Sequence, residues 1–268
     1  MMKKYQLFIS VILSFCALST TTLNAQNGDQ ILDGIGETGL IARYVFDGDA
    51  KDWSRNNLHG KIQETKAKFV NDEQFGTVLS LPADSKAFVS IPVDGLLGEE
   101  SLSISGWIYL RSQQKGQYFF DFGKNANSHL FFATAGTENE AGTQTQVITE
   151  TGTKYKAKSA ALEAGKWNHV AVVINIPSKS ISTYVNGILA GETKNAVLDL
   201  AKLFDYNTAE KNKLYIGKSL TDSNIYINAK LHDFRIYRVP LTDKQITRIY
   251  NNALKEGQEE ESGEEQPA

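Results

Sequence analysis

The sequence predicts an all-β fold, a sandwich of two antiparallel sheets, and three observations carry that reading. Short runs of apolar residues, several of them alternating with polar ones, follow one another from Gly39 to about Pro240. Turn chemistry punctuates them, and no βαβ rhythm interrupts them, which disfavours a parallel α/β sheet. The composition agrees: 268 residues, 41% hydrophobic, with 21 glycines and five prolines, suit a globular chain and exclude a collagen-like or disordered one.

In chain order, Met1–Gln6 is short and basic, Leu7–Leu18 is almost wholly apolar, and a small-residue stretch ends at Leu23-Asn24-Ala25. That is the plan of a secretory signal covering 1–25, cleaved after Ala25. The apolar run is too short to span a bilayer, which takes roughly 20 residues. Cys16 follows Phe15, whereas a lipid-attachment signal wants a small residue there. Once the signal is removed no cysteine is left, so neither disulfides nor thiol chemistry serve an exported chain. Residues 26–38 read as a polar linker, and 39–254 as one domain.

Strands are predicted at Leu40–Phe46, Phe88–Ile91, Leu102–Leu110, Tyr118–Phe122, His129–Thr134, Val147–Glu150, His169–Ile176, Ser180–Val185, Ile188–Thr193, Lys213–Ile216 and Lys230–Tyr237. Leu102–Leu110 alternates with period two and sets Leu102, Ile104, Ile108 and Leu110 on one face, opposite Trp107 and Tyr109. Asn186-Gly187 is a hairpin turn signal. The polar, Thr/Glu/Lys-rich stretch Gly136–Ala160 is expected to reach away from the core as a long loop or hairpin. One helix is predicted after Pro240: Thr242 and Gln245 form a capping box, and Leu241, Ile246, Ile249, Tyr250 and Leu254 share a stripe. The acidic tail 255–268 has nothing to bury and is expected to be disordered.

Charge sorts by position. The signal contributes +2, the tail −5, and 26–254 balances 25 basic against 25 acidic residues, which leaves no electrostatic footprint for nucleic acid. Two constellations carry chemistry. In Asp47-Gly48-Asp49-Ala50-Lys51-Asp52-Trp53 three carboxylates leave a strand in a Gly-containing loop, with Asn56 and Asn57 behind. Such a loop supplies the hard oxygens that calcium takes, or else forms an Asx-rich turn bonded to its own backbone. In Lys230–Leu241, strict alternation puts Leu231, Asp233, Arg235 and Tyr237 opposite Phe234 and Ile236, and Asp233 needs a partner, whether a cation, an arginine or a backbone donor.

Seven segments in register (GLIARYVFDGDAKDWSRNNLHG, LSISGWIYL, FFDFG, GKWNHVAVVIN, YVNGILAGE, LYIGKS and KLHDFRIYRVPLTDKQITRIY) resemble the laminin-G-like modules of the concanavalin A-like lectin/glucanase superfamily over about 39–254. The resemblance implies a two-sheet jelly roll with one short C-terminal helix. It also implies that the first loop lies beside the last strand, so that Asp47, Asp49 or Asp52 joins Asp233 around one structural calcium. Trp53 and Arg55 depart from the small residue and glycine usual in such modules, and His232 stands where a second acid is frequent.

No E-x-D-x-x-E strand, G-x-S-x-G elbow, Walker loop or zinc spacing occurs. His169 reads as a core histidine, His59 as a turn residue, and His129 has no acid beside it in sequence. Trp53 and Tyr155 stand in polar loop contexts and are the aromatic candidates for stacking on a sugar. The chain is thus expected to be a secreted, non-catalytic binding module, with a polysaccharide or glycan as ligand, calcium as structural cofactor and no membrane insertion after signal removal. The alternatives are a protein–protein adhesion module at the cell surface and a glycoside hydrolase with a dispersed carboxylate pair.

Overall fold

The computed structural model describes residues 39–96, 99–137, 140–205, 211–221 and 225–262. The expected signal, the linker and Cys16 lie outside the described residues. The strands are β1 (Leu40–Tyr44), β2 (Lys61–Gln63), β3 (Lys68–Asp72), β4 (Gly76–Leu81), β5 (Phe88–Ile91), β6 (Leu102–Leu110), β7 (Tyr118–Asn125), β8 (Ser128–Ala133), β9 (Thr143–Ile148), β10 (Lys154–Ser159), β11 (Trp167–Asn175), β12 (Ser180–Val185), β13 (Ile188–Lys194), β14 (Lys213–Ile216) and β15 (Ala229–Tyr237), followed by helix α1 (Asp243–Ser262).

Two sheets form, and every pairing between their strands is antiparallel. The first runs β13-β12-β11-β6-β15-β4-β3, with β1 also paired to β15. The second runs β10-β9-β8-β7-β14-β5-β2. Period-two alternation turns Ile104, Ile108, Val170 and Val172 of the first sheet toward Val89, Phe120, Phe122, Leu130, Val147 and Leu214 of the second, and together they make one apolar core. As expected, Trp107 points to the outer side of its sheet, where it packs with Phe75, Val78 and Ala253.

Asn186 (φ +52°) and Gly187 (φ +78°) both take the left-handed conformation, as a two-residue hairpin turn requires. The Gly136–Ala160 stretch does not leave the core. It supplies β9 and β10, which complete the second sheet, and Thr143, Thr145 and Val147 are fully buried. Its polar look comes from buried Thr and Gln side chains on β9 and from the outward lysines of β10. The segment 61–81, which carries β2, β3 and β4, shows too little apolar contrast to be read from sequence.

The capping box forms as expected: Gln245 N–H donates to Thr242 Oγ1 (3.3 Å), and Gln245 Oε1 accepts from Thr242 N–H (2.9 Å). Leu241, Ile246 and Ile249 then pack on Tyr184 and Tyr237, and Tyr250, Ala253 and Leu254 on Phe75 and Trp107. The helix thus covers the outer face of the first sheet. It continues to Ser262, into the stretch expected to be disordered. Lys, Gln and Glu dominate there, and strong helix formers extend a helix once a cap has nucleated it.

Candidate functional site

The last strand departs from simple alternation. Between His232 and Arg235 its pairing with β6 gains one residue, a β-bulge, and Asp233 sits there with φ +49°. The bulge turns Leu231 inward with Phe234 and Ile236, and His232 and Asp233 outward together. Leu231 therefore does not share a face with Asp233, and His232 is not on the opposite face from it, contrary to strict alternation.

Asp233 is buried, and its partner is a pair of arginines. Arg43 Nε donates to Oδ1 at 2.7 Å and its Nη2 to Oδ2 at 3.3 Å, while Arg235 Nε lies 3.0 Å from both oxygens and its Nη2 also bonds Oδ2. Burial alone would raise this carboxyl, but the guanidiniums of Arg235 and Arg43 hold it well below the usual carboxylate range.

The aspartate loop resolves in the same direction. Asp52 accepts from Arg43 N–H (2.9 Å) and Ser54 N–H (2.8 Å) on one oxygen, and from Ser54 Oγ (2.7 Å) and Leu58 N–H (2.9 Å) on the other. Asp49 accepts from Lys51 N–H at 2.9 Å and pairs with Lys51 Nζ at 3.1 Å, and Asp47 is exposed. This is the Asx-rich turn. The first loop and last strand do lie side by side, but Arg43 stands between their carboxylates. Among the described residues no three His, Cys, Asp or Glu side chains gather as a metal-holding group. Asp47, Asp49, Asp52 and Asp233 as arranged do not fit calcium, which takes six to eight converging oxygens.

The two aromatic candidates lie apart. Trp53 is 47% exposed, and its backbone N–H donates to Arg43 O (2.8 Å) beside β1. Tyr155, on β10, is packed partly on the core and walls a cleft of about 240 Å³ between the β9–β10 hairpin and the segment 197–203. Thr149, Thr151 and Thr153 give this cleft hydroxyls, Val197 and Leu198 an apolar wall, and Glu150 and Asp199 carboxylates.

The outer face of the second sheet carries a further group of side chains, and no helix among the described residues covers it. One register row crosses all seven strands: Lys61, Ser90, Tyr215, Asp121, Phe131, Gln146 and Lys156. Toward β2, β5 and β14 this face holds the half-buried rings of Phe88, Tyr215 and Tyr226, and the Lys218 ammonium lies 4.4, 5.3 and 5.2 Å from their centroids. An ammonium within about 6 Å of an aromatic face is held by the ring quadrupole. Gln63 Nε2 donates to Ser90 Oγ (2.8 Å) beside them.

A buried pair fixes the segment that carries this cage. Asp121 Oδ1 lies 2.6 Å from His129 Nδ1, both residues are fully buried, and Asp121 Oδ2 accepts from Leu220 N–H at 2.7 Å. Burial pushes the Asp121 carboxyl up, against the opposing hydrogen bond of His129. His129, with no acid beside it in sequence, thus finds one across the β7–β8 hairpin. Phe88, Tyr215 and Tyr226 were hidden because each is one outward residue in an otherwise ordinary strand or turn. The lone signal was Lys-Leu-Tyr-Ile-Gly-Lys at 213–218, where Tyr215 must face out if Leu214 and Ile216 face in.

The chain matches a known family. The family model described as the concanavalin A-like lectin/glucanases superfamily, of laminin G type, matches residues 83–247. The chain belongs to that superfamily. A comparison of this concanavalin A-like module with curated protein sequences finds no match. Among solved structures it is similar to domain 4 of a GH43 extracellular arabinanase from Geobacillus stearothermophilus, in complex with arabinotriose, with a TM-score of 0.66 and 20% identity over 79% of this chain and 98% of that one. It is also similar to the binding domain of botulinum neurotoxin DC in complex with rat synaptotagmin II (TM-score 0.62, 20% identity, 81% of this chain and 52% of that one). The binding domain of Paraclostridial Mosquitocidal Protein 1 gives a TM-score of 0.63 at 14% identity, over 81% and 52%. The module spans about half the length of these toxin domains, and at such identities the likeness is one of fold. No helix among the described residues is long and apolar enough to cross a membrane.

Proposed function

We propose that this module is an exported, non-catalytic glycan-binding protein. The observation that carries the reading is the half-buried triad of Phe88, Tyr215 and Tyr226, held around the Lys218 ammonium on the sheet face that no helix among the described residues covers. Aromatic rings offer a pyranose an apolar platform, and Gln63, Ser90 and Lys218 stand beside them to engage hydroxyls. The cleft walled by Tyr155 is a second, smaller place for a sugar. The arabinotriose carried by the arabinanase domain supports a glycan as ligand for a fold of this kind. Non-catalytic binding is supported by the state of the cleft's carboxylates: Glu150 and Asp199 are about half exposed and pair with Lys124 and Lys202. A glycosidase acid needs a carboxyl that its surroundings push up.

A glycan array probed with the full chain tests this reading. Binding that falls at least ten-fold in Tyr215→Ala, with the fold retained, is expected. An array on which nothing binds overturns it. Adhesion to a protein is the second reading, favoured by Ile188 (72% exposed) and Leu189 (47% exposed), which stand side by side at the start of β13.

A further inference from the structure

We infer that the open face of the second sheet takes an acidic polysaccharide, one bearing a carboxylate on its sugar rings, with Lys61 and Lys213 as the charge-reading residues. The inference rests on the glycan reading and names the ligand class for that surface. Charge complementarity carries it. Overall the body between signal and tail is neutral, yet its charges are not evenly spread.

Lys61 lies directly across from Ser90, Ser90 lies across from Tyr215, and Lys213 precedes Tyr215 by two residues on the same face. Lys61 and Lys213 are exposed and Lys218 is half-buried over the rings, and none of the three forms an ion pair among the described residues. The exposed lysines elsewhere on this face are not all free in that way: on β10, Lys158 is spent on Glu140, as is the partly buried Lys156. The aromatic end of the face is thus one where several cations lie around the rings with no ion pair among the described residues.

The geometry favours ring carboxylates over clustered sulfates. Two strands at ~4.8 Å and two residues at ~3.3 Å separate the Lys61 and Lys213 Cα atoms by about 12 Å. Two lone ammonium groups so far apart are point charges that meet single, regularly spaced anions, and no arginine fork accompanies them. A chain carrying one carboxylate per sugar passes along the aromatic cluster while its acids reach the two lysines.

Affinity electrophoresis and calorimetry with the full chain test the inference, using polygalacturonate and alginate, a neutral arabinan and dextran, and heparin as the sulfated arm. Binding to the uronate polymers is expected, weakened at least ten-fold between 50 and 300 mM salt because exposed charges are screened over a Debye length of about 10 Å at 0.1 M. The variant Lys61→Gln/Lys213→Gln is expected to lose at least ten-fold in uronate affinity and most of the salt dependence, with an unchanged melting midpoint. Binding of neutral glycans alone overturns this inference and leaves the glycan reading standing. Tighter binding of heparin than of either uronate polymer also overturns it. Binding of none of these polymers, together with an empty glycan array, overturns both. If the double variant binds uronate as tightly as the parent, the assignment of the two lysines is wrong.

Discussion

At the scale of single residues, Asp233 shows what sequence can and cannot say. A carboxylate among apolar neighbours demanded a partner, and that demand was legible. Which partner met it was not, because Arg43 is 190 positions away and Arg235 reaches Asp233 only through a bulge. Asp233→Asn tolerates the same left-handed backbone, so it removes charge without removing the bulge. It leaves Arg235 buried without its counter-ion and is expected to cost roughly 3–5 kcal/mol in urea unfolding. Arg43→Met is expected to cost less, since Arg235 still pairs with the carboxylate. His169 supplies a pH dependence. It is packed between Trp107 and Tyr250, and burial, together with the charge of Arg235, lowers its pKa from 6.5 to about 3. The unfolded chain therefore takes up a proton at a pH where the fold does not. Stability is full above about pH 6.5 and declines as pH falls from there toward 3, by about 2 kcal/mol at pH 5 for each such group. Unfolding curves measured from pH 8 to 4.5 should show this slope, and His169→Phe should flatten it.

At the scale of elements, strands with strong apolar alternation were readable, Leu102–Leu110 above all, and so was the capped helix. Thr242→Ala is expected to lower stability by about 1 kcal/mol, read as a fall in thermal midpoint, because it removes the acceptor for Gln245 N–H. Among the strands that escaped is one whose inward residues offer little apolar contrast. Strand β10 shows why: Ala157 is its buried inward residue, and its three outward residues are lysines. The strand is nevertheless held tightly. Its backbone meets β13 from the other sheet, where Thr193 Oγ1 donates to Lys156 O and a Cβ at Gly191 would lie 2.3 Å from Lys158 O. Gly191→Ala must push the two sheet edges apart and is expected to cost about 1–3 kcal/mol by thermal or chemical unfolding.

At the scale of the whole molecule, the two sheets differ in what covers them. Helix α1 closes the first, while the second keeps, at its β2–β5–β14 end, half-buried rings and lysines that form no ion pair among the described residues. The expectation of calcium came from the aspartate loop and from the family pattern, and in the structure the guanidiniums of Arg43 and Arg235 stand against Asp233. EDTA is accordingly expected to leave the melting midpoint unchanged. A lowered midpoint restored by added calcium would show that a bound ion contributes to stability. The pairing of the first and last strands has a mechanical consequence. Gly39 O accepts from Arg238 N–H at 2.9 Å, and β1 runs antiparallel to β15 from there. A load applied at these two points peels β1 away one rung at a time, since antiparallel hydrogen bonds lie across the strands and open in sequence rather than all at once. The body yields softly at first, and the salt link of Arg43 to Asp233, met after only a few rungs, is the catch at which peeling stops.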